Sequence, residues 1–244
     1  MTIRLALVTA VLGLIAASAP AQEATIRKNL AERLPNLPKI DEVSKSPVEG
    51  LYEVRLGHEV LYTDADGGYL IQGQIIDTRA RRNLTEERIN KLTAIDFATL
   101  PLKDAIVYKV GNGKRKIAVF ADPNCGYCKR FERDLQAVKD VTVYTFVFPV
   151  PIGPDSDVKS RNIWCSKDRL KTWQDWMLRG VPPPEAGDKC DSAAVARNLE
   201  MAHKHRVTGT PARVFEDGTR IPGALNTAQI EQQLAGVGKP AAKQ

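Results

Sequence analysis

The apolar residues in the N-terminal third of the chain change from helical to alternating spacing. Ile26, Leu30 and Leu34 recur at helical spacing and predict a short helix over residues 25–34. Further on, apolar and polar positions alternate with period two, which is typical of β-strands. Three such strands are predicted, over residues 51–56, 59–63 and 69–75. Glycines and aspartates between the last two predict a tight turn, so these strands should form an antiparallel meander.

Residues 83–100 return to helical spacing. Ile89, Leu92 and Ile95 form an apolar stripe among charged residues, and Pro101 follows the end of the pattern. A mostly polar helix between two regions of different pattern is interpreted as a linker. We expect it to hold the flanking domains apart.

The C-terminal part begins with strand patterns that frame two cysteines. Strands are predicted over residues 105–110, 117–121 and 141–148. Between the last two, the sequence Cys-Gly-Tyr-Cys at residues 125–128 opens a helix after an Asp-Pro-Asn break. The third strand is rich in β-branched and aromatic residues. It should be buried and parallel to the second, which completes a βαβ unit.

The remaining residues predict a helical insertion followed by a hairpin. Residues 155–207 are mainly helical by pattern, and Trp164, Trp173 and Trp176 are predicted to form their core. The segments that follow are a strand at 212–215, a return strand at 221–223 and a closing helix at 228–234.

The two cysteines of the central motif are predicted to differ in environment. Cys128, Phe131, Leu135 and Val138 share one helical face, which should pack against the sheet. Cys125 follows Asn124, a good N-cap residue, and falls in the first helical turn, where backbone N–H groups have no helical partner. We therefore expect an exposed, nucleophilic Cys125 with Cys128 behind it.

A thiolate at the start of this helix should be stabilised, which lowers the pKa of Cys125 below that of a free cysteine. Gly126 and Tyr127 place no charge inside the loop. The helix N-terminus, with Lys129 or Arg130, must then supply the stabilisation. This arrangement favours dithiol–disulfide exchange.

The alternative interpretation of this motif is half of a zinc site. A zinc ribbon would need a second CxxC or a histidine pair, and the other cysteines, Cys165 and Cys190, are far apart. We expect redox chemistry instead, with no metal and no cofactor.

The first residues predict export. A positive charge, an apolar stretch and an A-x-A site at residues 19–21 indicate a signal peptide over residues 1–21. The apolar stretch is short for the alternative, a membrane anchor.

In an oxidising compartment the four cysteines favour disulfides. Since Cys125 and Cys128 pair by proximity, Cys165 and Cys190 are left to form a structural disulfide. The alternative is two free buried thiols.

The net charge of +6 is interpreted as solvated surface, and no nucleic-acid partner is expected.

The N-terminal region after the signal is too small to bury much core and would leave sheet edges open. Pairing with a second copy would solve both problems, so this region is predicted to form a homodimer. The alternative is a subdomain that docks on its own chain.

A CxxC at a strand-to-helix turn, followed much later by Thr210-Pro211 and an Asp-Gly hairpin, resembles the thioredoxin superfamily. The layout resembles the DsbC family of periplasmic disulfide isomerases more closely. The shared features are the signal, the small β region, the linker helix, Cys-Gly-Tyr-Cys, Ile163-Trp164-Cys165 with a later cysteine, and Thr210-Pro211.

This resemblance implies an α+β fold: a small N-terminal antiparallel β dimerisation domain, a linker helix and a C-terminal thioredoxin-like α/β domain with a helical insertion. The implied segments are a signal peptide at 1–21, a dimerisation domain at 22–82, a linker helix at 83–102 and a catalytic domain at 103–244, with its insertion at about 150–207.

The resemblance also implies residue roles. Cys125 would attack a substrate disulfide, and Cys128 would resolve the mixed disulfide. The implied substrate-binding residues are Gly126, Tyr127, Thr210 and a cis Pro211.

The implied function is isomerisation of incorrect disulfides in exported proteins, in the periplasm, with chaperone-like binding of unfolded chains. A membrane thiol reductase of the DsbD type would keep the dithiol reduced. The alternatives are a DsbG-like reductase of oxidised cysteines, a DsbA-like thiol oxidase, and a chaperone in which the thiols are secondary.

Overall fold

A computed structural model describes residues 18–150 and 155–236 of the chain. Contacts divide the chain into two units, which adjoin in sequence at Leu92 and Thr93. Most of the predicted signal peptide lies outside the described residues. In the part of the chain that the structure describes, every helix is too short or too polar to span a bilayer.

The first unit combines two helices with a small antiparallel sheet. Its elements are α1 (Ser18–Arg33), β1 (Glu42–Lys45), β2 (Leu51–Leu56), β3 (Glu59–Asp64), β4 (Leu70–Ile71), β5 (Ile76–Asp77), β6 (Arg82–Asn83) and α2 (Leu84–Leu92). Strands β1 to β4 form one sheet in sequence order, and β5 and β6 form a separate ribbon. The predicted antiparallel meander is confirmed.

The packing of this unit follows the apolar pattern. Ile26 and Leu30 of α1 are almost fully buried against Val54 and Leu61 of the sheet. At the turn before β4, the Asp64 carboxylate accepts the backbone N–H of Gly68 at 2.7 Å. Such a side-chain bond stabilises the turn that the sequence predicted.

The first unit differs from the prediction at α1, β4 and β1. Helix α1 starts earlier, at Ser18, and the third predicted strand is only two residues long, Leu70–Ile71. Strand β1 was not predicted, because Val43 is its only buried residue and one apolar position makes no pattern. Its pairing with β2 is therefore a tertiary effect.

The predicted helix over 83–100 is shorter in the structure and ends at Leu92. Arg88 of this helix donates to Glu53 at 2.7 Å and to Glu42 at 3.0 Å, so the helix packs on the sheet of its own unit. Beyond it, the Asp96 side chain accepts the N–H of Ala98 and caps a 3₁₀ turn, which replaces further α-helix.

The second unit contains a five-stranded sheet. Its elements are β7 (Ile106–Val110), β8 (Arg115–Ala121), α3 (Gly126–Leu135), β9 (Val141–Val147), α4 (Ser156–Cys165), α5 (Arg169–Arg179), α6 (Ala193–Lys204), β10 (Ala212–Phe215), β11 (Arg220–Pro222) and α7 (Thr227–Gly236). The strand order is β11-β10-β8-β9-β7. Strands β8 and β9 are parallel and joined through α3, so the predicted βαβ unit is confirmed.

The sheet of the second unit has an apolar core on each face. Alternate residues of β8 belong to different cores: Val119 faces the core that contains α3, and Phe120 faces the other. Ile95, which was predicted to lie on the linker helix, is buried in the second core together with Phe97 and Leu100. The segment after Leu92 thus completes the core of the second unit.

The insertion between β9 and β10 is helical, as predicted, and consists of α4 to α6. Cys165 and Cys190 are joined by a disulfide with a Cα–Cα distance of 5.9 Å. Trp164 and Trp173 are buried in the core, and Trp176 packs against it while partly exposed.

Candidate active site

The loop after β8 is held by a buried carboxylate. Asp122 is fully buried and accepts the N–H groups of Asn124 at 2.6 Å and Val150 at 2.8 Å. Its backbone carbonyl accepts the N–H of Cys125 at 3.2 Å. These bonds hold the chain at the end of the central strand, where α3 begins.

Cys125 is itself the N-cap residue of α3. Its backbone is extended (φ −71°, ψ 116°), and its sulfur accepts the N–H of Cys128 at 3.3 Å. The prediction that Asn124 caps the helix was wrong, because the Asn124 amide donates instead to Asp155 at 2.7 Å and to Ser156 at 3.0 Å. The thiol thus occupies the position that a capping oxygen usually takes.

Cys128 lies behind Cys125 on the buried face of the helix. Both cysteines are free thiols, and Cys128 is 1% exposed. Phe131 and Leu135 continue the same face into the core, as the periodicity predicted.

The loop before β10 approaches the thiols from the other side. The Cys125 Sγ–H donates to the backbone carbonyl of Thr210 at 3.3 Å. The Thr210–Pro211 peptide bond is cis. Residues separated by 85 positions in sequence therefore meet at one sulfur.

Hydrogen bonds lower the pKa of Cys125 to about 6, with the Cys128 thiol as the largest contributor. Burial opposes the shift, while the Thr210 side chain and the backbone N–H groups of Cys128 and Tyr127 add to it. The expected contribution of Lys129 or Arg130 was wrong. The Lys129 ammonium lies 4.1 Å from the centre of the Trp176 ring, and neither cation is among the causes of the shift.

The pKa of Cys128 is raised instead. Burial is the main cause, and the hydrogen bond and the charge of Cys125 add to it. At neutral pH the pair therefore consists of one thiolate and one thiol. That asymmetry suits exchange chemistry, in which one sulfur attacks and the other waits.

A pocket of about 790 Å³ opens above Cys125. Its lining residues are Cys125, Gly126, Tyr127, Arg130, Arg133, Val150, Thr208, Gly209 and Thr210. The prediction of an exposed Cys125 was wrong, since the residue is only 3% exposed and lies in the wall of this pocket. Tyr127, in contrast, is 67% exposed. Pro211 belongs to the same loop as Thr210 but is not among the lining residues.

Two buried charged residues near the motif were not predicted. Glu132 is 4% exposed, one turn after Cys128, and its pKa is raised to about 7 by burial, although the Trp173 indole N–H donates to it at 2.6 Å. Arg213, on β10, is fully buried. Their positions in the sequence could have identified them as buried charges. Glu132 lies beside the apolar stripe of α3, and Arg213 lies between the apolar residues of a buried strand.

Two family models match the chain. The model of the disulfide bond isomerase protein N-terminal domain matches residues 17–86. The thioredoxin-like domain model matches residues 102–238. The two matches occur in the same order as the two units of the structure.

Relatives of known family match most of the chain. The probable thiol:disulfide interchange protein DsbC of Bordetella pertussis is 42% identical, over 89% of this chain and 76% of that protein. The thiol:disulfide interchange protein DsbC of Escherichia coli is 32% identical, over 88% of this chain and 89% of that protein.

One solved structure shares the fold over part of the chain. The crystal structure of a disulfide interchange protein from Neisseria gonorrhoeae superposes with a TM-score of 0.54 at 37% identity, covering 58% of this chain and all of that one. With the two thiols at the start of α3 and the matches over both units, the chain belongs to the DsbC family of thiol:disulfide interchange proteins.

Proposed function

We propose that Cys125 is the attacking thiol and Cys128 the resolving thiol of a disulfide isomerase that acts on misfolded exported proteins. The observation that carries the proposal is the pKa of Cys125, lowered to about 6 beside a buried thiol and a pocket. At neutral pH the attacking sulfur is therefore ionised without an external base.

The proposed reaction begins when the Cys125 thiolate attacks one sulfur of a substrate disulfide. The new bond joins Cys125 to that sulfur, and the second substrate sulfur leaves as a thiolate. Isomerisation follows when a thiolate of the substrate attacks the mixed disulfide or another disulfide of its own chain. If this fails, Cys128 attacks Cys125, which releases a reduced substrate and an oxidised enzyme.

The substrate segment would lie across Gly126, Tyr127, Thr210 and Pro211. Gly126 is exposed and has open space around it, which leaves room for a chain beside Cys125. The exposed ring of Tyr127 offers an apolar contact. The Thr210 carbonyl accepts the Cys125 S–H only while that thiol is protonated, so it becomes available to a substrate N–H once Cys125 has ionised or reacted.

We further propose a homodimer formed through the N-terminal unit, as its match to an isomerase N-terminal domain supports. The compartment would be the periplasm, reached by means of the signal peptide. A membrane thiol reductase of the DsbD type would return Cys125 and Cys128 to the dithiol form that an isomerase needs.

The decisive experiment is recovery of activity from a scrambled multi-disulfide protein in a mild glutathione buffer. Wild type should restore activity, Cys125→Ser should not, and Cys128→Ser should accumulate mixed disulfides with the substrate. If the wild type only oxidises or only reduces the substrate, the isomerase assignment fails and a DsbA-like or DsbG-like role replaces it.

Chaperone-like binding is a separate part of the proposal. The apolar surface beside the thiols, which includes Tyr127 and Val150, would hold unfolded chains. In an aggregation assay, Cys125→Ala should then suppress aggregation as well as the wild type does. Loss of suppression in that variant would tie the effect to thiol chemistry and remove chaperone binding from the proposal.

A further inference from the structure

Arg213 is a cation in the core of the second unit, which carries Cys125 and Cys128 and is the proposed catalytic unit. It is fully buried on β10, opposite Val119 of β8. Its strand neighbour on the same face, Phe215, belongs with Val119 to the core that contains α3. The side chain of Arg213 therefore points to the face of the sheet that α3 covers.

Backbone carbonyls accept the hydrogen bonds of the Arg213 guanidinium. The guanidinium donates to backbone carbonyls of Ile221 at 2.9 Å, Pro222 at 3.0 Å and Gly223. Within residues 18–150 and 155–236, no carboxylate is paired with Arg213 and its Nε atom has no hydrogen-bond partner. A buried, unpaired charge costs free energy, so packing does not explain this residue.

The guanidinium faces the part of α3 that carries the resolving thiol. Its carbon lies 5.3 Å from the centre of the Phe131 ring, and Phe131 is one turn after Cys128 on the same helical face. Arg213 and an ionised Cys128 attract each other. Burial lowers the pKa of Arg213 to about 10, so it keeps its proton at neutral pH.

The charged and titratable groups around Cys128 act in different directions. The hydrogen bond and the charge of Cys125 raise the pKa of Cys128, and burial raises it further. Glu132, on the next turn of α3, is bonded to Trp173 of α5, and its charge lies close to Tyr108 of β7. The backbone of Asp122 and the side chain of Thr210 act in the opposite direction and lower the pKa of Cys128 by hydrogen bonds. Arg213, on β10, adds a buried positive charge that attracts the Cys128 thiolate.

The contribution of Arg213 gains importance in the mixed disulfide. When Cys125 is bonded to a substrate sulfur, it carries no charge and no longer hydrogen-bonds as a thiolate. The hydrogen bond and the charge of Cys125 then no longer raise the pKa of Cys128, and burial remains. A nearby buried cation is the kind of group that offsets burial of a thiolate.

We propose that Arg213 is a positioning residue for the resolving step, in which its charge stabilises the thiolate of Cys128 behind the mixed disulfide. This inference rests on the proposed function. In the step, Cys128 loses its proton and attacks Cys125. The Cys128–Cys125 bond forms, the Cys125–substrate bond breaks, and the substrate sulfur leaves with the electron pair and takes up a proton. Over the attack by Cys125 and this step together, the two enzyme thiols are oxidised and the substrate disulfide is reduced.

The test uses the reduced full-length protein and an aromatic disulfide that releases a coloured thiolate. Attack by Cys125 releases the first equivalent, and intramolecular attack by Cys128 releases the second. Arg213→Met and Arg213→Gln should leave the first phase near its wild-type rate. They should slow the second about tenfold at neutral pH and move its pH midpoint up by about one unit. Arg213→Lys, which keeps the charge, should restore most of the second rate.

Arg220→Met is the matched control. Arg220 lies on the neighbouring strand, is partly buried, and donates to the carbonyl of His205 at 2.6 Å, with burial as the sole cause of its lowered pKa. Its loss should leave the second phase unchanged. Near-ultraviolet circular dichroism establishes that each variant is folded.

Three results would overturn the inference: an unchanged second phase in a folded neutral variant, an Arg213→Lys variant as slow as Arg213→Met, or a slow second phase in Arg220→Met. If neither neutral variant folds, the wild type decides. A midpoint of its second phase above roughly 8.5, the value of a free cysteine, would show that the burial of Cys128 is not offset and would overturn the inference. A missing first phase would instead contradict the proposed function.

Discussion

At the scale of single residues, the two thiols of the motif differ in acidity, because hydrogen bonds lower the pKa of Cys125 and burial raises the pKa of Cys128. Cys125 caps a helix and receives donors, whereas Cys128 sits in the core and supplies one of them. The low pKa of Cys125 is therefore a property of the pair, more than of the helix dipole or of nearby cations.

Replacing Cys128 should consequently change the acidity of Cys125. In Cys128→Ala the largest stabilising donor is lost, and the pKa of Cys125 should rise from about 6 by at least about one unit. Cys128→Ser keeps a donor and should show a smaller rise. The measurement is the ultraviolet absorbance of the thiolate as a function of pH.

Gly126→Ala is a suitable control for that titration. An added Cβ at Gly126 meets nothing within 4 Å, so the loop should keep its shape and Cys125 its pKa. Equal values in Cys128→Ala and the wild type would show that Thr210 and the backbone N–H groups set the acidity without the Cys128 thiol.

Glu132 should make the stability of the catalytic unit depend on pH. Its folded pKa of about 7 exceeds the ordinary value of 4.5, so its contribution is complete at low pH and is lost as the pH rises through 7. Glu132→Gln, which cannot ionise, should gain roughly 2–3 kcal/mol relative to wild type between about pH 5 and about pH 8. Urea unfolding at both pH values measures this gain.

The glutamine variant also has an internal check. Its amide oxygen can still accept the indole N–H of Trp173, so the packing around α5 should persist. If the free energy of unfolding differs from that of the wild type by the same amount at both pH values, Glu132 is ionised throughout or pairs with a group elsewhere.

At the scale of elements, the helical insertion is fastened by its disulfide. Cys165 ends α4, and Cys190 lies in the loop before α6, 25 residues later. Closing a loop of this length stabilises a fold by about 3 kcal/mol in the chain-entropy model. The double variant Cys165→Ala/Cys190→Ala should lose about that much free energy of unfolding.

The thiol chemistry should not follow this loss of stability. The titration of Cys125 in the double variant should match the wild type, because the contacts that lower its pKa come from α3 and the Thr210 loop. A large change in that titration would show that the insertion shapes the active site.

The elements that the sequence predicted best are those with strong local patterns. Strands β8 and β9 and helix α3 have continuous apolar runs or stripes, and their parallel arrangement follows from the short helical connection. The elements that it missed depend on distant partners. Strand β1 forms only because β2 lies beside it, and the break after Leu92 depends on where Ile95 finds its core.

The same distinction applies to the active site. The motif identified Cys125 and Cys128, and the family resemblance identified Thr210. No local pattern could show that Lys129 would lie over Trp176, because that contact joins α3 to α5. The burial of Cys125 likewise results from a loop far away in sequence.

At the scale of the whole molecule, the structure indicates where a fragment that contains the catalytic unit should begin. Residues 93–102 supply Ile95, Phe97 and Leu100 to its core, although the sequence suggested a start at 103. A fragment of residues 93–244 should unfold cooperatively at a temperature near that of the catalytic unit in the full chain. A fragment of residues 103–244 should be much less stable, as scanning calorimetry would show.

The longer fragment also tests the role of the N-terminal unit. In the scrambled-substrate assay it should still exchange thiols but recover less activity per active site than the full chain. Equal recovery would mean that dimerisation is not needed for isomerisation. Failure of the 93–244 fragment to fold would place the boundary between the units elsewhere.

Under the proposed function, the protein carries two cysteine pairs that need opposite redox states in one compartment. Cys165 and Cys190 must stay oxidised, while Cys125 and Cys128 must be returned to thiols. Exposure does not separate them, since Cys165 and Cys190 are partly exposed and Cys125 is buried. Leaving-group ability distinguishes the two disulfides, because a thiol of low pKa is expelled more readily from a disulfide. A reductant that can reach both disulfides should therefore reduce the Cys125–Cys128 disulfide first, with Cys125 as the leaving group. The low pKa of Cys125 would thus also direct the reduction that regenerates the dithiol.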